Sequence, residues 1–205
     1  MKKLFYITLL LISFSGLGQV DSLFYTSGEI KAFGSVDEQG NQTAIWQYFY
    51  PDGAKNADLS YAEGFLHGEQ LYFYPDGQWR AIEVWGRGLL KDSATYYHST
   101  GKIEKRGTFS SGLYEGQWEF FYPNGQLKRT GSYIQGVPFG LWEFYFENGQ
   151  LNQVGQLRKG KEDGSWTYYD ETGNAIYEGS WLVGEKVGQW YFFKNGKKKK
   201  WKNFD

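Results

Sequence analysis

Apolar and polar residues alternate along most of this chain, in short segments that end at glycine-containing turns. The segment Trp118–Tyr122 reads WEFFY, so residues 118, 120 and 122 point one way and 119 and 121 the other. This period of two is typical of a β-strand. Asn124-Gly125 follows, and such a pair favours a hairpin turn because glycine adopts positive φ without steric cost. The chain then returns through Gln126–Tyr133 as a second strand, which predicts a β-hairpin.

The hairpin pattern recurs about every 24 residues, which indicates a repeat architecture. The turn glycines are Gly28, Gly53, Gly77, Gly101, Gly125, Gly149, Gly173 and Gly196. Tryptophan precedes the turn glycine by seven residues, or by six in the last copy, at Trp46, Trp118, Trp142, Trp166 and Trp190. A second glycine follows the turn by six residues, at Gly34, Gly107, Gly131, Gly155 and Gly179. Two more glycines recur between hairpins, for example at Gly136 and Gly140.

The tryptophan and the second glycine are predicted to pack together. If a hairpin is symmetric about its Asn-Gly pair, Trp118 lies opposite Gly131; by the same rule Trp142 faces Gly155, and Trp166 faces Gly179. We expect each indole to cover the glycine opposite it in its own hairpin, as in aromatic rescue of glycine. The segment Gly136–Gly140 is expected to form a wider turn between hairpins.

Two copies lack both partners of this pair. Gln70 and Ala94 stand at the tryptophan position, and Leu59 and Glu83 stand where the second glycine belongs. The loss of both residues together is what a packing pair predicts.

Eight consecutive hairpins predict an all-β fold: an elongated, twisted antiparallel β-meander of about eight stacked hairpins, forming a rod or solenoid. Roughly fifteen strands at about 4.8 Å spacing would extend about 70 Å. A closed propeller is disfavoured because its repeats are about 40 residues long. The predicted organisation is an N-terminal capping hairpin over 19–45, 24-residue repeats over 46–196 and a lysine-rich end over 197–205.

The N-terminus has the composition of a secretory signal. Two lysines precede an apolar run over 4–14, and small residues follow at Gly16 and Gly18. This pattern predicts a cleavable signal peptide over 1–18, hence a secreted, periplasmic or cell-envelope protein. The alternative is an uncleaved anchor, but the run falls short of the roughly 20 residues that span a bilayer. The absence of cysteine excludes disulfides and thiolate metal sites.

Charge narrows the choice of partners. The formal net charge is −1 at pH 7, and removal of Lys2 and Lys3 with the signal makes it more acidic. A nucleic-acid partner is therefore disfavoured. A basic cluster at the C-terminus is a candidate polyanion or anionic-lipid contact. Its members are Lys197, Lys198, Lys199, Lys200 and Lys202. The preferred interpretation is that these lysines protect the last strand from edge-to-edge aggregation.

Little in the sequence indicates catalysis. His98 takes the place of Tyr50, Tyr74 and Tyr122 in the repeat, so we interpret it as a packed aromatic substitute, whereas His67 is a turn residue. No nucleophile, phosphate-binding or zinc motif is present, and the repeats occupy the whole chain. No enzyme activity, cofactor or metal site is predicted.

The segment Tyr177–Trp190, which reads YEGSWLVGEKVGQW, resembles the MORN (membrane occupation and recognition nexus) repeat. A Gly-x-Gly of the common form is replaced by Gly-x-Trp, as at Gly116/Trp118, which is similar to the bacterial MORN-variant repeats. Some of those proteins carry an antitoxin-like label. The resemblance covers residues 24–196 and implies stacked hairpins used in protein interaction, with membrane association in some members and no catalytic residues.

The leading functional hypothesis is therefore an exported, non-catalytic scaffold whose partner is another protein. One alternative is a module that binds cell-wall carbohydrate, because WEFFY and WTYYD are similar to the aromatic repeats of glucan-binding wall proteins. Another is a membrane-associated adaptor that acts through the basic C-terminus.

Overall fold

A computed structural model describes residues 19–205, and the predicted signal peptide over 1–18 lies outside the described residues. All regular elements in this range are strands. They are β1 (Gln19–Phe24), β2 (Ile30–Val36), β3 (Gln42–Phe49), β4 (Lys55–Ala62), β5 (Phe65–Phe73), β6 (Trp79–Gly86), β7 (Leu89–Tyr97), β8 (Ile103–Ser110), β9 (Leu113–Phe121), β10 (Leu127–Ile134), β11 (Val137–Tyr145), β12 (Leu151–Arg158), β13 (Lys161–Tyr169), β14 (Ala175–Leu182), β15 (Glu185–Lys194) and β16 (Lys197–Phe204).

The strands form one open antiparallel sheet in which spatial order equals sequence order. Each strand pairs with its neighbours in the chain, and β1 and β16 are the two edges of the sheet. The predicted all-β meander of hairpins is confirmed. At about 4.8 Å per strand, the fifteen spacings between sixteen strands extend about 70 Å.

Two kinds of turn alternate along the sheet. At Pro123–Gly125 the amide of Tyr122 donates to the Gln126 carbonyl (2.8 Å), which makes a three-residue loop with Gly125 at φ +87°. At the opposite edge, Gln135 and Gly136 have φ +48° and +78°, and Ile134 pairs with Val137. Positive φ at both central residues defines a two-residue type I′ turn. The expected wider turn over Gly136–Gly140 is therefore wrong, because Val137 already begins β11.

The register predicted for the Trp and Gly positions is confirmed. Trp118 faces Gly131, Trp142 faces Gly155, and Trp166 faces Gly179. The three-residue loop alone would shift this register by one residue. A bulge between Leu127 and Arg129 compensates for the shift.

A second irregularity explains another recurring glycine. Between β8 and β9 the register shifts by two residues, and Gly116 at φ +66° lies inside this bulge. The equivalent residue in two other copies is Ala44 or Asp92, at φ +56° and +54°. The fourth glycine of the repeat therefore serves a backbone conformation that costs an L-residue about 1–2 kcal/mol.

The prediction that each indole covers the glycine of its own hairpin is wrong. Trp118 has Gly131 on one side and Gly107 on the other, and it covers Gly107, on the preceding strand. Gly131 is covered by Trp142, from the next hairpin. A Cβ at either glycine would lie less than 3.0 Å from the indole, closer than real Cβ atoms approach.

A hydrogen bond explains why the indole leans toward the preceding strand. Trp118 Nε1 donates to the Thr108 carbonyl, next to the bulge, at 2.9 Å. Trp46, Trp166 and Trp190 make the same bond to the residue after the covered glycine, at 2.8 to 3.2 Å. Trp142 is the exception, since its buried Nε1 has no hydrogen-bond partner among residues 19–205.

These tryptophans form the core of a single-layer sheet. The repeat tryptophans are at most 2% exposed. Aromatic rings two residues further along each strand lie beside them, with centroid distances of 6.0 Å for Trp142 to Phe144 and 6.2 Å for Trp166 to Tyr168. Neighbouring repeats therefore bury each other's indoles along one face.

The two repeats that lack the tryptophan also pair the residue at that position with the preceding strand. Gln70 packs against the strand of Leu59 and is fully buried; its amide accepts from the Ser60 amide (2.8 Å) and donates to the Ser60 carbonyl (3.1 Å). It thereby replaces the indole bond at the bulge. Ala94 lies opposite Glu83. Where the covered residue carries a side chain, the covering tryptophan is absent.

Candidate interaction surface

The recurring residues singled out in the sequence lie in the framework of the sheet. Gly131, Gly155 and Gly179 are buried beneath indoles. The turn glycines Gly53, Gly77, Gly101, Gly125, Gly149 and Gly173 occupy the three-residue loops, and Gly196 the two-residue turn between β15 and β16. The five repeat tryptophans are at most 2% exposed, because neighbouring side chains on the same face pack around them.

Tyrosine hydroxyls connect adjacent repeats at the loop edge. Tyr74 donates to the Tyr97 carbonyl at 2.7 Å, and Tyr122 donates to the Tyr145 carbonyl at 2.8 Å. His98 Nε2 makes the equivalent contact with the Phe121 carbonyl at 3.1 Å, so Nε2 carries the proton. His98 thus occupies a tyrosine position, as the sequence predicts.

The face opposite the tryptophans carries half-buried aromatics, including Phe121, Tyr145 and Tyr169. The Tyr145 hydroxyl donates to Glu143 at 3.0 Å, and burial together with this carboxylate raises the pKa of Tyr145 to about 12. The Arg106 guanidinium lies 5.5 Å from the centre of the Phe121 ring. Neighbours on the same face cover these aromatics in part, and no second layer packs over them in the described sheet.

A polar cluster replaces the tryptophan–glycine core in the third repeat. Glu83 is 8% exposed and accepts from the Tyr96 hydroxyl (2.7 Å) and from Trp85 Nε1 (2.9 Å). Burial, and then the Glu83 carboxylate, raises the pKa of Tyr72 and Tyr96 well above the usual range. Both carboxylate oxygens accept from aromatic donors, so Glu83 ties the Tyr96 and Trp85 side chains together.

Exposed apolar side chains follow one edge of the sheet at the period of the repeat. Each is the first residue of a strand after a two-residue turn, and each is between 43% and 57% exposed. They are Phe65, Leu89, Leu113 and Val137, which we call the apolar ridge. Their spacing of 24 residues makes them neighbours on alternate strands.

Contacts between adjacent turns fix the apolar ridge in place. Phe65 Cδ1 lies 3.4 Å from the Cβ position of Gly88, and Leu113 Cδ2 lies 3.6 Å from that of Gly136. The amide of Gly136 also donates to the carbonyl of Tyr114, in β9 just after the preceding turn, at 2.9 Å. Phe65 and Leu113 therefore rest on the glycine of the next turn, whereas Leu89 does not reach Gly112, and the turns are hydrogen-bonded in series.

The apolar ridge ends at a groove of about 650 Å³. Ile134, Val137 and Phe139 line it, and all three are at least 40% exposed. Arg158 and Asp163 form an ion pair of 3.0 Å at its rim. Beyond the groove the ridge position is taken by Lys161, and before Phe65 it is Asn41, so polar residues bound the apolar stretch at both ends.

Three segments of the chain match the family described as MORN repeat variant: residues 66–81, 114–135 and 140–158. Each contains a three-residue loop and strand residues on both sides of it. These three segments are MORN-variant repeats. The resemblance noted in the sequence is confirmed for these segments, and the MORN-variant hairpin is the unit described above.

No curated protein matches the sequence. Among solved structures, the crystal structures of TcdB2-TccC3-Cdc42 and of TcdB2-TccC3 are each 12% identical over 85% of this chain, with a TM-score of 0.20. The Tc holotoxin pore of Photorhabdus luminescens is also 12% identical over 85% of this chain, with a TM-score of 0.19. The MORN-variant chain covers 13% of each of those chains.

The lysine-rich end is the last strand of the sheet. Lys198 pairs with Glu178 at 2.7 Å and lies over the Tyr191 ring, whereas Lys202 faces Trp190 on the other side of the sheet. The lysines thus divide between both faces of edge strand β16, and Lys197, Lys199 and Lys200 are likewise exposed. This arrangement is typical of edge protection.

Two further observations concern sites and membranes. Within residues 19–205, no group of three or more His, Asp or Glu side chains is arranged to hold a metal ion. Over the same residues there is no helix with the length and hydropathy needed to cross a bilayer.

Proposed function

We propose that this MORN-variant protein is an exported, non-catalytic scaffold that binds another protein along the apolar ridge. The observation that carries the proposal is the alignment of exposed apolar side chains at one edge, repeat after repeat. Contiguous apolar patches larger than about a few hundred Å² are rare on monomeric soluble proteins and mark contact sites.

The dimensions of the apolar ridge fit a protein partner. Phe65 and Val137 begin strands that are six positions apart in the sheet, a distance of about 29 Å at about 4.8 Å per strand. A standard interface buries about 800 Å² on each side. The groove beside Ile134 and Phe139 extends the ridge at one end.

The architecture supports a scaffold rather than an enzyme. The sheet is a single layer, and each hairpin repeats the same packing between indole and glycine, so the chain presents a long surface with a regular spacing. Repeat proteins commonly use such extended surfaces for binding.

Export is the second part of the proposal, and its support is the leader-like sequence over 1–18. We expect the mature protein to begin near Gln19. N-terminal sequencing of the protein isolated from its native cells tests this expectation, and a mature chain that retains Met1 contradicts it.

The apolar ridge is tested by a variant that keeps the fold. Leu89→Ser combined with Leu113→Ser removes the two central side chains while leaving both type I′ turns unchanged. We expect proteins that co-purify with the wild-type chain from native envelope to be lost, and the melting temperature to change little because both side chains are about half exposed.

Leu182→Ser is the matched control. Leu182 is 56% exposed beside a two-residue turn, but it lies outside the apolar ridge. The proposal predicts that this variant captures the same proteins as the wild type. If the ridge variant also retains them, the apolar ridge is not the binding surface.

A further inference from the structure

An aromatic pocket of about 430 Å³ lies near the C-terminal edge of the sheet. Four strands contribute to it, from β13 to β16. Its walls are Tyr168, Tyr177, Trp181, Trp190 and Trp201, with Lys186 between them. Unlike the repeat tryptophans, Trp201 is 48% exposed and Tyr177 is 39% exposed, so two aromatic rings remain accessible from solvent.

The ammonium of Lys186 is held by rings alone. Its Nζ lies 4.4 Å from the ring centre of Trp190, and 5.5 Å from those of Trp181 and Trp201. No carboxylate in residues 19–205 lies within ion-pairing distance of it. Cation–π contacts offset part of the cost of removing this charge from water, but the charge has no counter-ion.

A second polar group faces the same pocket. Trp181 Nε1 donates to the Tyr168 hydroxyl oxygen at 3.1 Å, which leaves the hydroxyl proton of Tyr168 free to donate. Lys202 adds positive charge beside the pocket, since its Nζ lies 4.7 Å from the Phe204 ring, to which Lys186 Nζ is 5.7 Å distant.

From this arrangement we infer that the pocket binds an acidic sugar, a pyranose ring that carries a carboxylate. The exposed face of Trp201 stacks against the apolar C–H face of the sugar ring. The carboxylate supplies the counter-ion that Lys186 lacks, in a charge-assisted hydrogen bond. The Tyr168 hydroxyl donates to a sugar oxygen. The pocket volume falls in the range of small-ligand sites.

This site is separate from the apolar ridge. Its residues lie on the tryptophan face near β16, whereas the ridge follows the turn edge from β5 to β11. The two binding proposals therefore succeed or fail independently.

Tryptophan fluorescence titration of residues 19–205 with a short oligogalacturonate, at physiological ionic strength, tests the inference. We expect saturable binding to the acid form, and affinity weaker by about tenfold or more for the methyl-esterified oligomer, which keeps the rings and removes the charge. Lys186→Met keeps the apolar stem and should cause a similar loss. Trp201→Ala should also weaken binding, and Trp201→Phe should restore most of it.

Lys198→Met is the matched control, because it removes a lysine of the same region that already pairs with Glu178. It should bind oligogalacturonate as the wild type does. If Lys198→Met and Lys186→Met lose equal affinity for oligogalacturonate, the binding is general electrostatic attraction, and the proposed site is wrong. Equal affinity for the acid and the ester, tighter binding of a poly-glutamate peptide, or no saccharide binding would also overturn it.

Discussion

Replacing Gly131 by alanine tests which tryptophan covers this glycine: Trp142 from the next hairpin, or Trp118 from its own hairpin. Gly131 has ordinary strand geometry, so alanine suits its backbone and only the side chain matters. The new Cβ would lie less than 3.0 Å from the Trp142 indole, whereas ordinary contact begins at 3.4 Å. The indole must therefore retreat by more than about 0.4 Å to reach a normal carbon–carbon separation.

Trp142 has little room for that movement. It is 2% exposed, and the Tyr133 and Phe144 rings stand 5.2 and 6.0 Å from it. Overpacking of a tight core costs about 1–3 kcal/mol, and we expect Gly131→Ala to lie near the upper end.

A double-mutant cycle identifies the partner. In a Trp142→Ala background the obstacle is absent, so Gly131→Ala should be neutral or slightly stabilising, because alanine is better than glycine within a strand by about 0.5–1 kcal/mol. The coupling free energy with Trp142 is then about 3 kcal/mol. With Trp118→Ala, which removes the tryptophan of the same hairpin, coupling should stay within about 0.5 kcal/mol.

Urea unfolding followed by far-UV circular dichroism gives the four free energies of each cycle, provided that the m-values agree. Coupling to Trp118 that equals or exceeds coupling to Trp142 would refute the arrangement described here and restore the pairing within one hairpin.

Three other predictions concern stability. Val183 is a β-branched residue at φ +53° in a type I′ turn, so Val183→Asn should stabilise the protein by about 1 kcal/mol in urea unfolding. Val137→Asn makes the same change in an extended strand and should not stabilise the protein. Equal effects of the two substitutions would contradict the turn argument. Glu83→Ala leaves the Tyr96 hydroxyl and Trp85 Nε1 without an acceptor, so it should cost about 2–3 kcal/mol in the same assay, and a cost below about 0.5 kcal/mol would show that water replaces the carboxylate. Burial raises the pKa of several tyrosines above the value of about 10 in an unfolded chain, so the unfolded state loses protons first. The contribution of these tyrosines to stability should therefore be constant below about pH 9 and fall above pH 10, by at most about 1.4 kcal/mol per pH unit for each tyrosine. Unfolding midpoints from pH 8 to 12, with tyrosinate absorbance, measure this fall, and a flat profile contradicts it.

The period of the chain was enough to predict strands, topology and register, because the alternation and the Asn-Gly loops point to the same hairpin. It was not enough to identify the tight turn. The I′ turns have a central residue that varies freely, such as Gln135 or Lys159, whereas Pro-Asn-Gly resembles the strongest hairpin signal. Length distinguishes them: the Asn-Gly loop has three residues and needs a bulge to restore the register.

The covering partner was predictable from two irregular copies. In their own hairpins, Trp46 faces Leu59 and Ala94 faces Gly107, so tryptophan and glycine do not vary together there. Across the two-residue turn, Leu59 meets Gln70 and Glu83 meets Ala94, and both members of the pair change at once. The aromatic pocket had no such signal, because Trp201 lies beyond the last full repeat and only the register of β16 places it near Lys186.

The same row of positions carries charged residues on both edge strands of the described sheet. Trp190 faces Lys202 on β16, and Gly34 faces Asp21 on β1. Lys202 therefore stands where most other hairpins have a glycine, and Asp21 stands where most have a tryptophan. Charged edge strands of this kind also oppose pairing between sheets.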